Sequence, residues 1–216
     1  MIAAGRVVPP YKGDANIDKL TNQSCTDFAA VLASKASVPG GGGAALCSMV
    51  GNFTLGKKKY ADVEADVRRM LQTGEELRVR LLELVDADAE AFAPLAKAYA
   101  IPKDDPNRDE VLEAATLNAC AAPVEMVERC TQTIDLLEEM MLKGSKMLIS
   151  DVGCGALLSK AAMESAAMNV TINTKSMKDR EKAEEIEQKV GGLLKKYRIR
   201  ADCIVEGVTH QIRGEV

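Results

Sequence analysis

Pro39-Gly40-Gly41-Gly42-Gly43-Ala44-Ala45-Leu46-Cys47-Ser48-Met49-Val50 is the stretch whose reading decides the fold. Four consecutive glycines supply no side chain to a core. They let backbone adopt conformations and close approaches denied to other residues. The apolar run after them predicts a short helix from residue 44 to about 55, so the glycines feed a helix N-terminus. Unpaired N–H groups and the helix dipole favour an anion or a carboxylate there. A glycine run is also what a flexible linker looks like, and the stretch alone leaves both readings open.

On the N-terminal side, residues 1–19 mix Pro9-Pro10, Gly13 and polar residues without a period and read as a loosely ordered arm. A helix is expected from Cys25 to Ser34, with Thr26 as cap and Phe28, Val31 and Leu32 on its apolar face. On the C-terminal side a long helix is predicted from Asp62 to Ala100. Its stripe runs Val63, Val67, Met70, Gly74, Leu77, Leu81, Leu84, Asp88, Phe92, Leu95, at steps of three and four. Pro94 should kink it, and Pro102 to Asn107 reads as the interhelical loop.

A further helix is expected from about Asp109 to Leu142, bent at Pro123 and closed by Gly144. Ser150 or Asp151 then caps a helix rich in small residues, among them Gly153, Gly155, Ala161, Ala162 and Ala166. Small residues on several faces imply close approach of neighbouring helices, within the chain or across a subunit interface. Val170-Thr171-Ile172 is strand-like in composition but is kept in this helix. A charged helix follows, from Lys178 to Tyr197 or beyond. The expected architecture is all-α, an antiparallel bundle of about five or six helices, several of them long. Residues 20–213 form one helical domain.

Composition agrees. Aromatic residues are 3% of the chain and Trp is absent, so the core must be Ala, Leu, Val and Met, which suits close helix packing. A net charge of −4 argues against nucleic acid as partner. No apolar run approaches a membrane span. The six cysteines include no C-x-x-C pair and read as reduced thiols of a cytoplasmic protein. The single histidine, His210, gives poor support to a metal site or a Ser-His triad. Acid–base chemistry must rest mainly on Asp, Glu, Lys, Tyr or Cys.

Two nucleotide motifs nearly fit and fail. Gly51-Asn52-Phe53-Thr54-Leu55-Gly56-Lys57 lacks the Ser or Thr of a phosphate loop, because Lys58 follows. Gly153-Cys154-Gly155 lacks the third glycine of a dinucleotide fingerprint and any βαβ unit. Other positions carry more. Asp88 falls on an apolar stripe, where a carboxylate is costly unless paired or used. Asn169 and Asn173, four apart, share a helix face and suit either a flat polar heterocycle or interhelical hydrogen bonding. Asp151 either caps its helix or faces a cationic group. Lys57, Lys58 and Lys59 either complement a helix end or bind a polyanionic tail. In one straight helix Asp151 and Asn169 stand ~27 Å apart. They therefore act in different places, or meet through copies in an oligomer.

Taken together, Cys25-Thr26-Asp27-Phe28, Leu32-Ala33-Ser34, Pro39 to Gly43 and Gly56-Lys57-Lys58-Lys59-Tyr60 resemble the cyclodeaminase/cyclohydrolase family. The likeness continues at Asp88-Ala89-Glu90-Ala91-Phe92, Pro123, Ser150-Asp151-Val152-Gly153, Asn169-Val170-Thr171-Ile172-Asn173 and Asp179, over roughly residues 20–200. It implies an all-helical fold, a homodimer or higher assembly, and one-carbon chemistry on a tetrahydrofolate substrate, with no metal and no cofactor beyond that folate. The reaction it implies first is methenyltetrahydrofolate cyclohydrolase, with formimidoyltetrahydrofolate cyclodeaminase as the alternative; a non-catalytic helical assembly or folate-binding protein is the reading of another class. Asp88 and Asp151 are the expected catalytic carboxylates and Lys58 the proton donor. Asn169 and Asn173 would hold the pterin edge. Gly40, Gly41, Gly42, Gly43, Lys57 and Lys59 would hold the p-aminobenzoyl-glutamate tail. Against the family pattern the helix after the glycines is shorter by about two to three turns. That draws the lysines toward the glycines or changes how the helix packs.

Overall fold

The computed structural model describes residues 41–215. The expected arm, the expected helix from Cys25 to Ser34, Pro39 and Gly40 lie outside the described residues. Five α-helices follow in order: α1 Gly41–Thr54, α2 Glu64–Tyr99, α3 Arg108–Lys143, α4 Ile149–Ser176 and α5 Arg180–Arg213. Short 3₁₀ turns at Lys58–Val63 and Lys146–Leu148 lead into α2 and α4. There is no strand among the described residues, and Val170-Thr171-Ile172 lies inside α4.

Consecutive helices run antiparallel, and their ion pairs register them. Arg80 meets Glu125 at 2.8 Å, Arg69 meets Glu139 at 2.5 Å and Asp66 meets Lys143 at 2.6 Å, so residue numbers rise along α2 as they fall along α3. Lys160 pairs with Asp202 and Glu164 with Arg198, both at 2.6 Å, which sets α4 against α5 in the same sense. Asp179 caps α5 by accepting the Lys182 N–H at 2.9 Å. The core is aliphatic and thioether, with Met70, Leu81, Leu84, Ile134, Leu137, Met140, Met163 and Ile204 fully buried.

α1 lies in the groove that α2 and α4 form over α3. This corrects the reading of the glycines as a loop before a helix, because Gly41–Gly43 are themselves helical. At Gly43 a Cβ would stand 2.0 Å from Ser159 Oγ and 2.9 Å from the Gly155 carbonyl oxygen of α4. Only a residue without a side chain permits that crossing. Gly51, the first glycine of the rejected phosphate-loop motif, is buried in α1 against Leu71. Gly56, with φ +71°, takes the left-handed conformation that stops α1.

The α2 stripe is buried through Leu84, but Phe92 is 54% exposed. α1 covers the stripe only at its lower part, since Gly74 faces Ser48 and Ala44. Higher on α2 no described residue continues α1. Helices α2 and α3 run on through Pro94 and Pro123.

Candidate functional site

Gly41–Gly43 begin α1, with Gly42 and Gly43 against Leu158, Ser159 and Gly155, and the other expected site residues among those described fall into two groups at opposite ends of α4. One group lines the groove beyond α1. On α2, Asp88 continues the line of Gly74, Leu77, Leu81 and Leu84 that reaches α1 lower down. On α4, Asn169 and Asn173 continue the line of Gly155 and Ser159 that packs on Gly43. Asp88, Asn169 and Asn173 are each half-buried.

The hydrogen bond of Asn173 has a local cause. Pro123 has no N–H, so the carbonyl of Ala119, one turn earlier in α3, lacks its usual helical donor. Asn173 Nδ2 donates to that carbonyl at 3.0 Å. Of the two readings open for Asn173, the interhelical one therefore holds for its amide nitrogen. Asn169 lies one turn nearer the glycines on the same line.

The other group sits at the base of the bundle. The capping expected of Asp151 is corrected: Leu148 is the N-cap of α4 and no side chain caps it. Asp151 is the third helical residue, half-buried, where its charge complements the helix dipole. Lys57, Lys58 and Lys59 follow the end of α1, all exposed. They do not approach the glycines, because the 14 residues of α1, about 21 Å of helix, separate the two runs.

The base also contains residues whose part the sequence did not disclose. Tyr60 OH accepts the Lys146 N–H at 3.1 Å, and Thr54 Oγ1 accepts the Ser145 N–H at 2.8 Å. The Lys146 amide, the Ser145 hydroxyl and the charges of Lys59 and Lys57 hold the Tyr60 phenol below its ordinary pKa. Tyr60 stood in the lysine motif, but nothing in one sequence marks its partner 86 residues away.

Cysteine chemistry divides by depth. Burial, with Glu139 adding to it, pushes the Cys47 thiol up to about 12. Burial alone pushes Cys130 to about 12 and Cys120 to about 11. Cys154 and Cys203 are exposed. Among the described residues no three His, Cys, Asp or Glu side chains gather as metal ligands, and no helix is long and apolar enough to cross a membrane. A shallow cavity of about 670 Å³ borders the base through Lys146, Ile149, His210 and Gln211. A second of about 570 Å³, lined by Glu128, Asp135, Lys189 and Tyr197, lies between α3 and α5, away from both groups.

The outer face of α4 joins the two groups. Cys154, Leu157, Leu158, Ala161, Ser165, Met168 and Ile172 follow one another at helical spacing, and all are exposed and uncharged. Leu157 and Leu158 are about half exposed, Met168 is 72% and Ile172 69% exposed.

Comparison with known proteins adds a direct likeness. The family model described as formiminotransferase-cyclodeaminase matches residues 24–191. The chain is 37% identical over 208 residues to the methenyltetrahydrofolate cyclohydrolase of Methylorubrum extorquens, covering 90% of this chain and 98% of that one. It is 30% identical over 199 residues to the formimidoyltransferase-cyclodeaminase of Mus musculus, covering 86% of this chain and 37% of that longer protein. In three dimensions it is similar to the crystal structure of formiminotetrahydrofolate cyclodeaminase from Thermotoga maritima. There the TM-score is 0.73 and the identity 28%, over 89% of this chain and 97% of that one.

Proposed function

Because the chain belongs to the formiminotransferase-cyclodeaminase family, we propose that it is a methenyltetrahydrofolate cyclohydrolase, interconverting 5,10-methenyltetrahydrofolate and 10-formyltetrahydrofolate. The observation that carries this reading is the likeness to the Methylorubrum extorquens cyclohydrolase along nearly that protein's whole length. The reaction runs on the folate itself, with no metal and no second cofactor.

The chemistry matches the groove. The methenyl carbon bridges N5 and N10 in an amidinium cation, which a nearby carboxylate stabilises. Asp88 holds that cation and takes a proton from the attacking water. The water oxygen bonds to the carbon; as the N5–carbon bond breaks, the hydroxyl that remains gives its proton to Asp151 and becomes the formyl C=O, while Lys58 supplies a proton to N5. The formyl group stays on N10. Asn169 and the carbonyl side of Asn173 hold the pterin edge. Lys57 and Lys59 hold the anionic p-aminobenzoyl-glutamate tail.

One chain cannot bring both groups to one folate, since they stand ~27 Å apart along α4. The active unit is a homodimer in which the uncharged faces of α4 pair antiparallel about Ala161. Residues equally far from Ala161 then face each other, so the partner's Asp151 stands opposite Thr171, between Asn169 and Asn173. Exposed apolar side chains in one unbroken line support such a pairing, because a soluble surface seldom leaves them open. The base of one copy and the groove of the other together make each site. Unpaired thiols suit a cytoplasmic protein.

Addition of the protein should speed the loss of the methenyl group's ultraviolet absorbance above the spontaneous rate. No acceleration at high protein concentration contradicts the proposal. The Thermotoga maritima likeness favours a second reading, in which N10 attacks the carbon of a 5-formimino group and expels ammonia. Ammonia release from 5-formiminotetrahydrofolate decides for it.

A further inference from the structure

We infer that Tyr60, together with Thr54, is a positioning residue that clamps the lysine turn Lys57–Lys59 to the α3–α4 junction. The inference rests on the reading above, in which Lys57 and Lys59 of that turn hold the folate tail. Three exposed lysines on a free linker would lose backbone and side-chain freedom on binding an anion, and that loss weakens binding. Here the linker is fixed at both edges before any ligand arrives.

At the near edge, Thr54 closes α1. Its hydroxyl donates to the Val50 carbonyl at 2.7 Å and accepts the Ser145 N–H at 2.8 Å. Thr54 and Ser145 are almost fully buried. At the far edge, Tyr60 OH accepts the next amide, Lys146 N–H. Between the two anchors Gly56 reverses the chain, and Tyr60 N–H donates to the Lys57 carbonyl at 2.8 Å, folding the lysines into one tight turn. The tyrosine ring lies 5.6 Å from the Lys59 ammonium, within cation–π range.

The two amides gripped in this way open the 3₁₀ turn that leads into α4, a helix with no side-chain cap of its own. One pair of contacts therefore completes the start of α4 and sets the lysines beside it. Asp151 stands in the first turn of the same helix, so its place and that of the lysines are fixed by a common element.

The test uses Tyr60→Phe in the full chain, which keeps the ring and removes only the hydroxyl of a half-exposed residue. Steady-state hydrolysis is compared for 5,10-methenyltetrahydrofolate and for its pteroate analogue, which lacks the glutamate. A Lys57→Ala/Lys59→Ala double variant is the control. The expected result is a KM raised about threefold to tenfold for the glutamate-bearing substrate, the span of one hydrogen bond's net worth. Any fall in kcat, carried by the neighbouring Lys58, is the same for both substrates, and the KM of the analogue does not change. If the lysine variant loses tail-dependent affinity and Tyr60→Phe does not, the clamp is overturned while the tail reading stands. If the lysine variant loses nothing, the tail reading fails and the clamp falls with it. An equal rise in KM for both substrates assigns Tyr60 to the fold alone and also overturns the inference.

Discussion

The two ends of α4 hold their polar groups in opposite ways. At the Ile149 end, backbone amides are tied by side chains from another segment, Thr54 on Ser145 and Tyr60 on Lys146, while three lysines stay in water. At the Ser176 end, Pro123 leaves a carbonyl of α3 unserved, and the side chain of Asn173 repairs it. The base is a rigid mount for exposed cations. The groove is a half-buried set of polar groups, part of which is already used by the fold. An anionic tail and a flat heterocycle call for these two kinds of surface.

The largest expected effect separates the groove from the base. Asp88→Asn keeps the shape and removes the charge, and kcat should fall about 10²-fold or more, as when one preorganised electrostatic group is lost. Full activity on both folate substrates would remove Asp88 from the account. The next contrast lies inside the groove. Asn169→Ala should raise KM severalfold with little change in unfolding free energy. Asn173→Ala should cost about 1–3 kcal/mol of stability, because it orphans a buried carbonyl. Urea unfolding reads this, and the cost should shrink beside Pro123→Ala, which restores a backbone N–H to α3. A Pro123-independent loss would mean that the Ala119 carbonyl is not what Asn173 serves. The mildest effect is chemical. Both Cys154 and Cys203 are exposed in one chain, but pairing of α4 about Ala161 covers only Cys154. Site-resolved alkylation should therefore mark Cys203 faster than Cys154. Equal rates would place the subunit contact elsewhere.

Much of the fold was legible in the sequence because long periodic stripes leave little choice. The limits of α2 and α3 fall within two residues of those expected, from Asp62 to Ala100 and from about Asp109 to Leu142. α5 ran 16 residues past Tyr197, to Arg213, through a charged stretch whose buried face is sparse. The glycines misled because composition describes freedom and not use. Gly43 is helical, and its missing side chain serves a crossing with Gly155 and Ser159 that lie more than a hundred residues later. Phe92 reads as core by its spacing and is exposed, while Leu95, next on the stripe, is buried with Ala98, Ala115 and Ala119. The division of the candidate site was readable in advance, since Asp151 and Asn169 are 18 residues apart in one helix. Which of the two asparagines serves α3 was not readable, because it depends on the register that brings Asn173 to the carbonyl left by Pro123.

The shared site between two copies is the central claim, and mixing tests it most directly. Asp88→Asn and Asp151→Asn are each nearly inactive alone by this account, each spoiling one half of every site. Unfolded separately, mixed in equal amounts and refolded together, they should recover about a quarter of wild-type activity, because half the dimers are mixed and each of these carries one intact site out of two. A mixture no more active than its two components, with subunit exchange verified by mass, would contradict a site shared across α4.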